Sequence, residues 1–410
     1  MEQIGIELEK AVELILHHGV EQIKTHIIPV MKANGAILAE DIYAPINNPP
    51  FDRSPLDGFA LRAGDSSHAS KKHPVTLRVI DTVYAGGFCD KRLNAGEAVR
   101  IMTGAPIPFG ADCVIRQEDT GFTPGKSEYT VEIYRELKVH QNYCFLGEDI
   151  KKGQMLLKAG TKITYIEQAI LSSVGIMQIV VCQKPRVALF VTGDEVVPPG
   201  SQLKNGKIYD SNLTLLYNRL KEFQMEPVVA EYLPDQPEII AEIIKKVSES
   251  VDIIITTGGV SVGAKDIFHE VYPMLQLERI FWKVKLKPGT PAMFSMYQGI
   301  PMLNLSGNPF AAITTFELLV RPLLAKLSGD KGLNTVRIKG VLAQPFTKTS
   351  GARRFLRGNL IEGKVHIPPT EQHASGILAS MAGCNCLVDI KAGTNPLDMG
   401  NEVEVILLDV

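Results

Sequence analysis

Short apolar runs that end in glycine alternate with helical patterns over the middle of the chain. The runs VALFVTG, DIIITTGG and IPMLNLSG have the continuous hydrophobicity typical of buried parallel strands. Apolar positions with helical spacing predict helices over LTLLYNRLKEF, PEIIAEIIKKVSES and PFAAITTFELLVRPLLAKL. Strands that alternate with helices form βαβ units with right-handed crossovers, so we predict a doubly wound parallel α/β sheet domain over residues 178–329.

A second pattern, of short β-type runs broken by glycine and proline, occurs on both sides of this region. The runs VTLRVI, EAVRIM, DCVIRQ and YTVEIY predict a β-rich domain over residues 27–141. The runs VRIKGVLA, RRFLRGNL, NCLVDI and EVEVILL predict a small, separate β domain over residues 330–410. The predicted fold class is therefore a multidomain protein of α/β and β type.

The remaining segments, residues 1–26 and 142–177, are predicted to pack together as a connecting helical module. The second segment contains the helical run IEQAILSSVG. Four apolar residues of the first segment fall on one helical face: Ile4, Leu8, Ala11 and Ile15.

The composition is that of an ordinary globular protein. Of the 410 residues, 45% are hydrophobic and 21% are charged, and the formal net charge of −2 gives no general attraction to nucleic acid. No apolar run approaches the ~18 residues of a membrane-spanning helix, and MEQIGIELEK has acids where a secretory signal would be basic and then apolar. Six scattered cysteines favour reduced thiols. We predict a cytoplasmic protein that binds neither nucleic acid nor membranes.

Acidic residues stand just after three of the predicted strands. Glu195 follows VALFVTG, Asp235 follows EPVVAEYL, and Asp266 lies in TTGGVSVGAKD. Ligands of open parallel sheets bind at the carboxyl ends of the strands. Carboxylates without histidine or cysteine suit a hard cation such as Mg²⁺ with a phosphate beside it. These three acids are the predicted metal ligands.

The turn TTGGVSVG is a candidate for binding a ligand through its backbone. Paired glycines allow close approach and can direct amide groups toward an anion. The turn has neither the GKS or GKT of a Walker loop nor the GxGxxG order of a dinucleotide site. Glycine-rich turns are common, so a purely structural turn is the alternative. The predicted ligand-binding residues are Gly258, Gly259, Ser261 and Gly263.

The motif LSGNP precedes the last predicted helix of the sheet domain. Asn308 is the predicted N-cap and Pro309 the predicted first helical residue, which leaves the helix N-terminus for an anion. Ser306 and Gly307 complete this predicted ligand turn. Simple capping without a ligand is the alternative.

Three lysines alternate in FWKVKLKPG, namely Lys283, Lys285 and Lys287. In an extended strand all three would lie on one face, where like charges are disfavoured unless they are solvated or face an anion. The position of the motif before LSGNP favours an anion site, and a solvated strand face is the alternative.

The motif FDRSPLDGFALR follows a double proline near the start of the chain. It places Asp52, Asp57 and two arginines around a proline and a glycine. Taken alone, such a charged turn is typical of a solvated surface loop.

These motifs occur in the same order in one protein family. FDRSPLDGFALR, GEAVRIMTGAPIPFGADCVIRQED, GEDIKKG, VALFVTGDE, IYDSN, TTGGVSVGAKD, FWKVKLKPG and LSGNP resemble the motifs of the MoeA family, which includes the gephyrin E domain. The resemblance covers essentially the whole chain. It implies a four-part subunit with a MogA-like sheet domain. It also implies a homodimer in which the Asp57 turn of one subunit meets the sheet edge of the other.

The activity implied by the resemblance is insertion of molybdate into adenylylated molybdopterin, with release of AMP and involvement of Mg²⁺. Molybdate and adenylylated molybdopterin are the implied substrates. A MogA-type adenylyltransferase and molybdoenzymes that receive the product are the implied partners. The resemblance implies catalytic roles for Asp57, Thr103, Asp149, Glu195, Lys283 and Lys287.

The chain departs from the commoner family pattern at a few positions. Thr290 stands where many members have lysine, Ser306 where many have proline, and Pro55-Leu56 where many have Ala-Met. Thr290 removes one positive charge near the expected anion, which leaves the choice and affinity of the anion open.

Two other functions are alternatives at this point. One is adenylylation of molybdopterin, which would consume ATP and would not need Asp57. The other is a scaffold of the gephyrin E-domain type. Molybdate and tungstate have similar size and charge, so the sequence does not distinguish them.

Overall fold

Two compact units make up the chain, Met1–His26 with Val181–Val410 and, separately, Ile27–Val180. The computed structural model describes residues 3–19, 23–123, 125, 129–260 and 267–408. None of the helices in these ranges combines the length and the hydrophobicity that a membrane crossing needs.

The secondary structure consists of many short strands and a few helices. The strands are β1 Gln3–Ile6, β2 Thr25–Pro29, β3 Ile42–Tyr43, β4 Gly58–Leu61, β5 Val75–Val83, β6 Glu97–Ile101, β7 Cys113–Arg116, β8 Thr130–Ile133, β9 Met155–Leu157, β10 Gln178–Cys182, β11 Val187–Thr192, β12 Val196–Val197, β13 Ile208–Tyr209, β14 Val229–Leu233, β15 Ile253–Thr257, β16 Glu278–Val284, β17 Met293–Tyr297, β18 Ile300–Leu305, β19 Arg337–Leu342, β20 Arg354–Ile361, β21 Lys364–His366, β22 Cys386–Ile390 and β23 Glu402–Leu407. The helices are α1 Leu8–His18, α2 Tyr165–Ser173, α3 Asn212–Glu222, α4 Pro237–Ser248, α5 Phe268–Leu275, α6 Pro309–Thr315 and α7 Arg321–Ser328, with a π-helical segment, Phe316–Val320, between the last two.

A seven-stranded sheet with the order β1-β16-β17-β18-β15-β11-β14 is the centre of the first unit. Neighbouring β11 residues alternate between two hydrophobic clusters, with Leu189 in one and Phe190 in the other, so the clusters lie on opposite faces. The first cluster also contains residues of α1, α3 and α6, and the second contains residues of α4 and α5. The predicted doubly wound α/β domain is confirmed.

The sheet is mixed, whereas a purely parallel one was predicted. β11 pairs in parallel with β14 and β15, and β15 pairs in parallel with β18. β17 is antiparallel to both of its neighbours, β16 and β18. Over this fully described stretch the three strands follow one another without an intervening helix. Short connections of this kind permit antiparallel pairing but not a parallel crossover.

The N-terminal segment belongs to this sheet unit. β1 pairs in parallel with β16, with Gln3 opposite Phe281, and α1 contributes Ala11 and Ile15 to the first hydrophobic cluster. The prediction that this helix packs with residues 142–177 is therefore wrong. Ile4, which was predicted on the helix, lies in β1 instead.

A closed barrel of β19, β21, β20, β22 and β23 forms the predicted C-terminal β region. Phe346 and Val388 belong to the core of the barrel itself. Phe355, Leu387 and Ile406 belong to the hydrophobic cluster of the large sheet. The predicted C-terminal β domain is confirmed as a closed barrel, which also contributes these three residues to the core of the large sheet.

The second unit is rich in β-structure, as predicted. Its main sheet has five strands in the order β7-β4-β6-β5-β8, with Phe59 and Ile115 buried in its core. Two further sheets have two strands each, β3-β9 and β2-β10. α2 begins after Thr164, which forms a capping box with Glu167.

Candidate functional site

The turns that follow β15 and β18 begin side by side at one edge of the large sheet. Thr257, the last residue of β15, lies opposite Leu305, the last residue of β18. The Gly258 N–H donates to the Leu305 carbonyl at 3.1 Å. The predicted ligand turns at 258–260 and 306–309 are therefore neighbours at the carboxyl edge, where open α/β sheets bind ligands.

Two glycines of the first turn are required by the backbone. Gly258 and Gly259 have φ values of 90° and 66°, which other residues rarely adopt. A Cβ at Gly258 would lie 2.2 Å from the Thr192 carbonyl oxygen, and one at Gly259 would lie 2.6 Å from Ile267 Cγ2. These glycines are needed with or without a ligand. Three other predicted residues lie outside the described ranges: Ser261, Gly263 and Asp266.

The second turn opens α6 as predicted, with Asn308 at the N-cap position and Pro309 as the first helical residue. The Asn308 N–H contacts the Ser306 hydroxyl at 3.4 Å. The Phe310 N–H donates to the Ser375 carbonyl, which belongs to the barrel region, at 3.1 Å. The Phe310 N–H is therefore already bound. The prediction that the helix N-terminus is free for an anion is wrong for this N–H group.

A buried asparagine joins the two turns. Asn212, at the start of α3, is only 5% exposed. Its Nδ2 donates to the Gly307 carbonyl at 2.8 Å and to the Thr257 hydroxyl at 3.1 Å. Asn212 lies in the family motif IYDSN, but no role for it was predicted, because neither partner is close to it in sequence.

Asp194, Glu195 and Asp235 form the acidic side of this sheet edge. The Asp194 N–H donates to Asp235 Oδ2 at 3.1 Å, and the Asp235 N–H donates to Asp194 Oδ1 at 3.3 Å. Burial raises the pKa of Asp235, and the charges of Asp194 and Glu195 also raise it. Asp235 Oδ1 is buried and has no hydrogen-bond partner among the described residues. A cation bound to Oδ1 would give this oxygen a partner and would lower the pKa of Asp235.

The predicted metal site is only partly described. Glu195 and Asp235 are neighbours, whereas Asp266 lies outside the described ranges. Within those ranges, no three or more His, Cys, Asp or Glu side chains are grouped so that they could hold a metal ion. Two carboxylates still suit Mg²⁺, which keeps several waters and shares phosphate oxygens. The three-ligand site stays a prediction.

The three lysines of FWKVKLKPG have different surroundings. Lys285 forms an ion pair with Glu7 at 2.9 Å, whereas Lys283 and Lys287 have no carboxylate partner in the part of the chain that is described. Lys283 has a left-handed φ of 65°, and its Nζ lies 3.9 Å from the centre of the Trp282 ring. Because β16 ends at Val284, the lysines do not share one regular strand face, contrary to the prediction.

The barrel contributes residues beside Lys287 that were not predicted. The Lys287 N–H donates to the Arg353 carbonyl at 2.9 Å, and the Phe355 N–H donates to the Lys287 carbonyl at 2.7 Å. These bonds form a parallel bridge between Lys287 and Arg354. Arg354 Nε is buried without a partner among the described residues. The only feature of the sequence that could have indicated these contacts is the arginine pair in RRFLRGNL, and such a pair is equally typical of a charged surface.

In the second unit, Asp57 and Thr103 are in direct contact. The Thr103 hydroxyl and N–H both donate to Asp57 Oδ1 at 2.7 Å. These hydrogen bonds lower the pKa of Asp57, with a smaller contribution from the charge of Arg100. The carboxyl group is therefore ionised at neutral pH. The next residue must be glycine, because a Cβ at Gly58 would lie 1.9 Å from the Ile115 carbonyl oxygen.

Two further acids of this unit have partners outside that pair. Asp52 accepts hydrogen bonds from the Tyr143 hydroxyl and the Leu146 N–H, both at 2.7 Å. Asp149 accepts one from Asn48 Nδ2 at 3.1 Å. The hydrogen bonds of the described residues do not link Asp149 to the carboxylate–threonine pair, and its catalytic role stays a prediction.

Family models match nearly all of the chain. Residues 6–175 match the MoeA N-terminal region, described as domains I and II. Residues 188–326 match a probable molybdopterin binding domain, and residues 339–408 match the MoeA C-terminal region, described as domain IV.

Similar proteins match the chain over nearly its whole length. The chain is 36% identical to the molybdopterin molybdenumtransferase of Staphylococcus epidermidis, over 98% of this chain and 96% of the relative. It is 34% identical to that of Bacillus subtilis, over 98% of this chain and 94% of the relative. The crystal structure of the molybdopterin biosynthesis MoeA protein from Pyrococcus horikosii matches with a TM-score of 0.87 and 34% identity, over 98% of this chain and 99% of that one. From these matches and the site geometry, the chain belongs to the MoeA family.

Proposed function

We propose that this chain is a molybdopterin molybdenumtransferase, which inserts molybdate into adenylylated molybdopterin and releases AMP. The observation that carries the proposal is the match over 98% of the chain to relatives of that name. Lys283 and Lys287, which have no acid partner in the described ranges, agree with a phosphorylated ligand, as do the glycine turns and carboxylates at one sheet edge.

Lys283 and Lys287 are the proposed ligands of the phosphate oxygens. Release of AMP breaks the phosphoanhydride bond between AMP and the pterin phosphate, and hydrolysis consumes one water. Negative charge develops on the departing phosphate oxygen during this step. Cations fixed beside it stabilise that charge more than the ground state. The local backbone supports this role, since Lys283 has a left-handed φ of 65°, a conformation that is costly and concentrated at functional sites.

Mg²⁺ is the proposed metal, held by Glu195 and Asp235 with Asp266 as the predicted third ligand. The fit depends on Asp235, whose Oδ1 is buried without a partner among the described residues and whose pKa is raised by burial. When bound, the ion would supply positive charge beside the phosphoanhydride. Asp235 must be deprotonated to bind it, so metal affinity should fall as the pH decreases.

Asp57 is the proposed reactive acid of the second unit. Both donors of Thr103 bind Oδ1, and Oδ2 has no hydrogen bond to the described residues. When an oxygen of molybdate is replaced by another ligand and leaves as water, protons must move. An ionised, oriented carboxylate can accept and return such a proton.

A homodimer is the proposed assembly, with Asp57 of one subunit completing the sheet-edge site of the other. Large exposed side chains in the second unit support an interface there: Met31, Tyr165 and Met177 are 84%, 77% and 82% exposed. The Val30 N–H donates to the Met177 carbonyl, so the backbone segments that carry Met31 and Met177 are adjacent. We propose a cytoplasmic setting, a MogA-type adenylyltransferase as the supplier of substrate, and molybdoenzymes as recipients.

The test is incubation with adenylylated molybdopterin, Mg²⁺ and molybdate, with AMP release and retained molybdenum as readouts. We expect both to occur and both to stop with excess chelator. A parallel reaction with molybdopterin and ATP tests the adenylylation alternative. ATP consumption without molybdate-dependent AMP release would overturn the proposal, and unchanged AMP release with chelator would overturn the role of Mg²⁺.

A further inference from the structure

Asn212 lies where the two ligand turns meet, and one side of its carboxamide has no partner among the described residues. Nδ2 donates to the Gly307 carbonyl at 2.8 Å and to the Thr257 hydroxyl at 3.1 Å. A carbonyl oxygen only accepts hydrogen bonds, so the atom facing Gly307 must be the nitrogen, and the orientation of the amide is fixed. Oδ1 is buried and has no hydrogen-bond partner among the described residues.

Helix capping does not account for this oxygen. The Asp210 carboxylate caps α3, because it accepts from the N–H groups of Asn212 and Leu213, both at 3.0 Å. The side chain of Asn212 is therefore not used for capping. A buried acceptor without a donor destabilises the folded chain, which a purely structural residue would avoid. Because buried polar atoms nearly always have a hydrogen-bond partner, an unpaired one such as Oδ1 calls for an explanation.

We propose that Asn212 is a specificity-determining residue, whose Oδ1 accepts a hydrogen bond from an aromatic N–H donor of the bound ligand. This inference rests on the proposed function. Both the pterin and the adenine of adenylylated molybdopterin carry such donors. Because Oδ1 is shielded from water in the ligand-free chain, contact requires a local shift of the groups that cover it. A hydrogen bond in such surroundings discriminates strongly against ligands without the donor.

The test compares Asn212→Ala with Thr257→Val as a matched control. Both variants remove the hydrogen bond between Nδ2 and Thr257, and Asn212→Ala also removes the acceptor Oδ1 and the bond to Gly307. The probes are AMP, purine riboside 5′-monophosphate, which lacks the amino group of AMP, and molybdopterin, each titrated by calorimetry. Thermal unfolding shows that the variants are folded. If Asn212→Ala does not fold, Asn212→Ser, which keeps a hydroxyl for Gly307, takes its place.

Two results would support the proposal and identify the donor. If the donor is the adenine amine, the wild type and Thr257→Val prefer AMP to the purine analogue by about tenfold or more, and Asn212→Ala shows no preference. If the donor is on the pterin, Asn212→Ala binds molybdopterin about tenfold more weakly than Thr257→Val and binds AMP equally. Identical affinities of the two variants for all probes would overturn the role of Asn212. Failure of the wild type to bind any probe would overturn the proposed function itself, and the inference with it.

Discussion

At the scale of single residues, two acids of the motif FDRSPLDGFALR have different surroundings. Asp52 uses both carboxylate oxygens, since Oδ2 accepts from Tyr143 and Oδ1 from Leu146. Among the described residues, Asp57 has partners for one oxygen only, since both donors of Thr103 bind Oδ1. A carboxylate whose two oxygens bind residues distant in sequence stabilises the fold. A carboxylate that is held by one oxygen can react through the other. The contrast supports a structural role for Asp52 and the proposed chemical role of Asp57.

Replacing each acid by asparagine tests this assignment. Asp57→Asn keeps the shape of the side chain but cannot take up a proton, so we expect AMP release to fall about a hundredfold or more without loss of folding. Asp52→Asn weakens two hydrogen bonds, so we expect a lower unfolding temperature and near-normal turnover per folded molecule. AMP release and thermal unfolding of both variants provide the measurement. Normal turnover by a folded Asp57→Asn protein would contradict a catalytic role.

The lysines provide a second comparison with its own control. Lys283→Ala and Lys287→Ala should weaken AMP binding by ~1.5–3 kcal/mol, the range of a hydrogen bond to a charged group. Lys285→Ala should change it little, because Lys285 is already paired with Glu7 at the surface. The chain contains one tryptophan, and Lys283 Nζ lies over its ring, so Trp282 fluorescence can follow the titration. Equal weakening by all three substitutions would count against the assignment.

At the scale of elements, a buried charge network holds the helix that follows the ligand turn. Glu317, in the π-helical segment, accepts from Arg219 Nε at 2.6 Å and from Arg321 Nη1 at 2.9 Å. Glu317 and Arg321 are fully buried, and Arg321 Nη1 also contacts the Leu407 carbonyl of the barrel at 3.2 Å. The network therefore joins α3, the helix after LSGNP and the barrel, which are the elements around the candidate site.

Removing one member of this network should be costly. Glu317→Gln leaves buried guanidinium charge without its counterion, so we expect about 3–5 kcal/mol of destabilisation. Glu222 pairs with the same Arg219 at 2.6 Å but has a 63% exposed side chain, so Glu222→Gln should cost less than about 1 kcal/mol. Urea unfolding of the two variants gives the comparison. Similar losses in both would show that the buried pair adds no more than a surface one.

Local patterns were sufficient to predict elements and insufficient to predict pairings. The apolar run VALFVT forms a strand in which every residue is buried, and PEIIAEIIKKVS forms the predicted amphipathic helix. The mistaken predictions involve contacts between distant segments, such as β1 with β16 and Phe310 with Ser375. Partners of this kind are selected by the packing of the whole unit, which the spacing of apolar residues does not record.

In the candidate site, too, local features were predicted from the sequence and contacts between distant residues were not. Turn glycines and strand-end acids were predictable, because position at the end of a parallel strand decides their place. The resemblance to the MoeA family implied roles for Asp57 and Thr103, but it did not predict the contact between them. No role was predicted for Asn212 or Arg354, because their contacts with Gly307 and Lys287 join residues that lie far apart in sequence.

At the scale of the whole molecule, the two groups of proposed catalytic residues belong to different compact units. Asp57 and Thr103 lie in Ile27–Val180, and the acids, glycine turns and lysines lie in the other unit. The proposed homodimer would join the Asp57 turn of one subunit to the sheet edge of the other. A two-fold dimer would then hold two equivalent composite sites.

Mixed dimers distinguish a shared site from one built within a subunit. Consider Asp57→Asn in one subunit and Asp235→Asn in the other, each inactive as a homodimer. With shared sites, one site of the mixed dimer carries both defects and the other carries neither, so doubly tagged dimers should recover about half of native AMP release. Random mixing makes about half of all dimers mixed, so the unfractionated sample should recover roughly a quarter. With sites inside one subunit, every site keeps one defect and nothing recovers. Stable mixed dimers without activity would therefore refute the shared site while leaving the chemistry assigned to Asp57 and Asp235 intact.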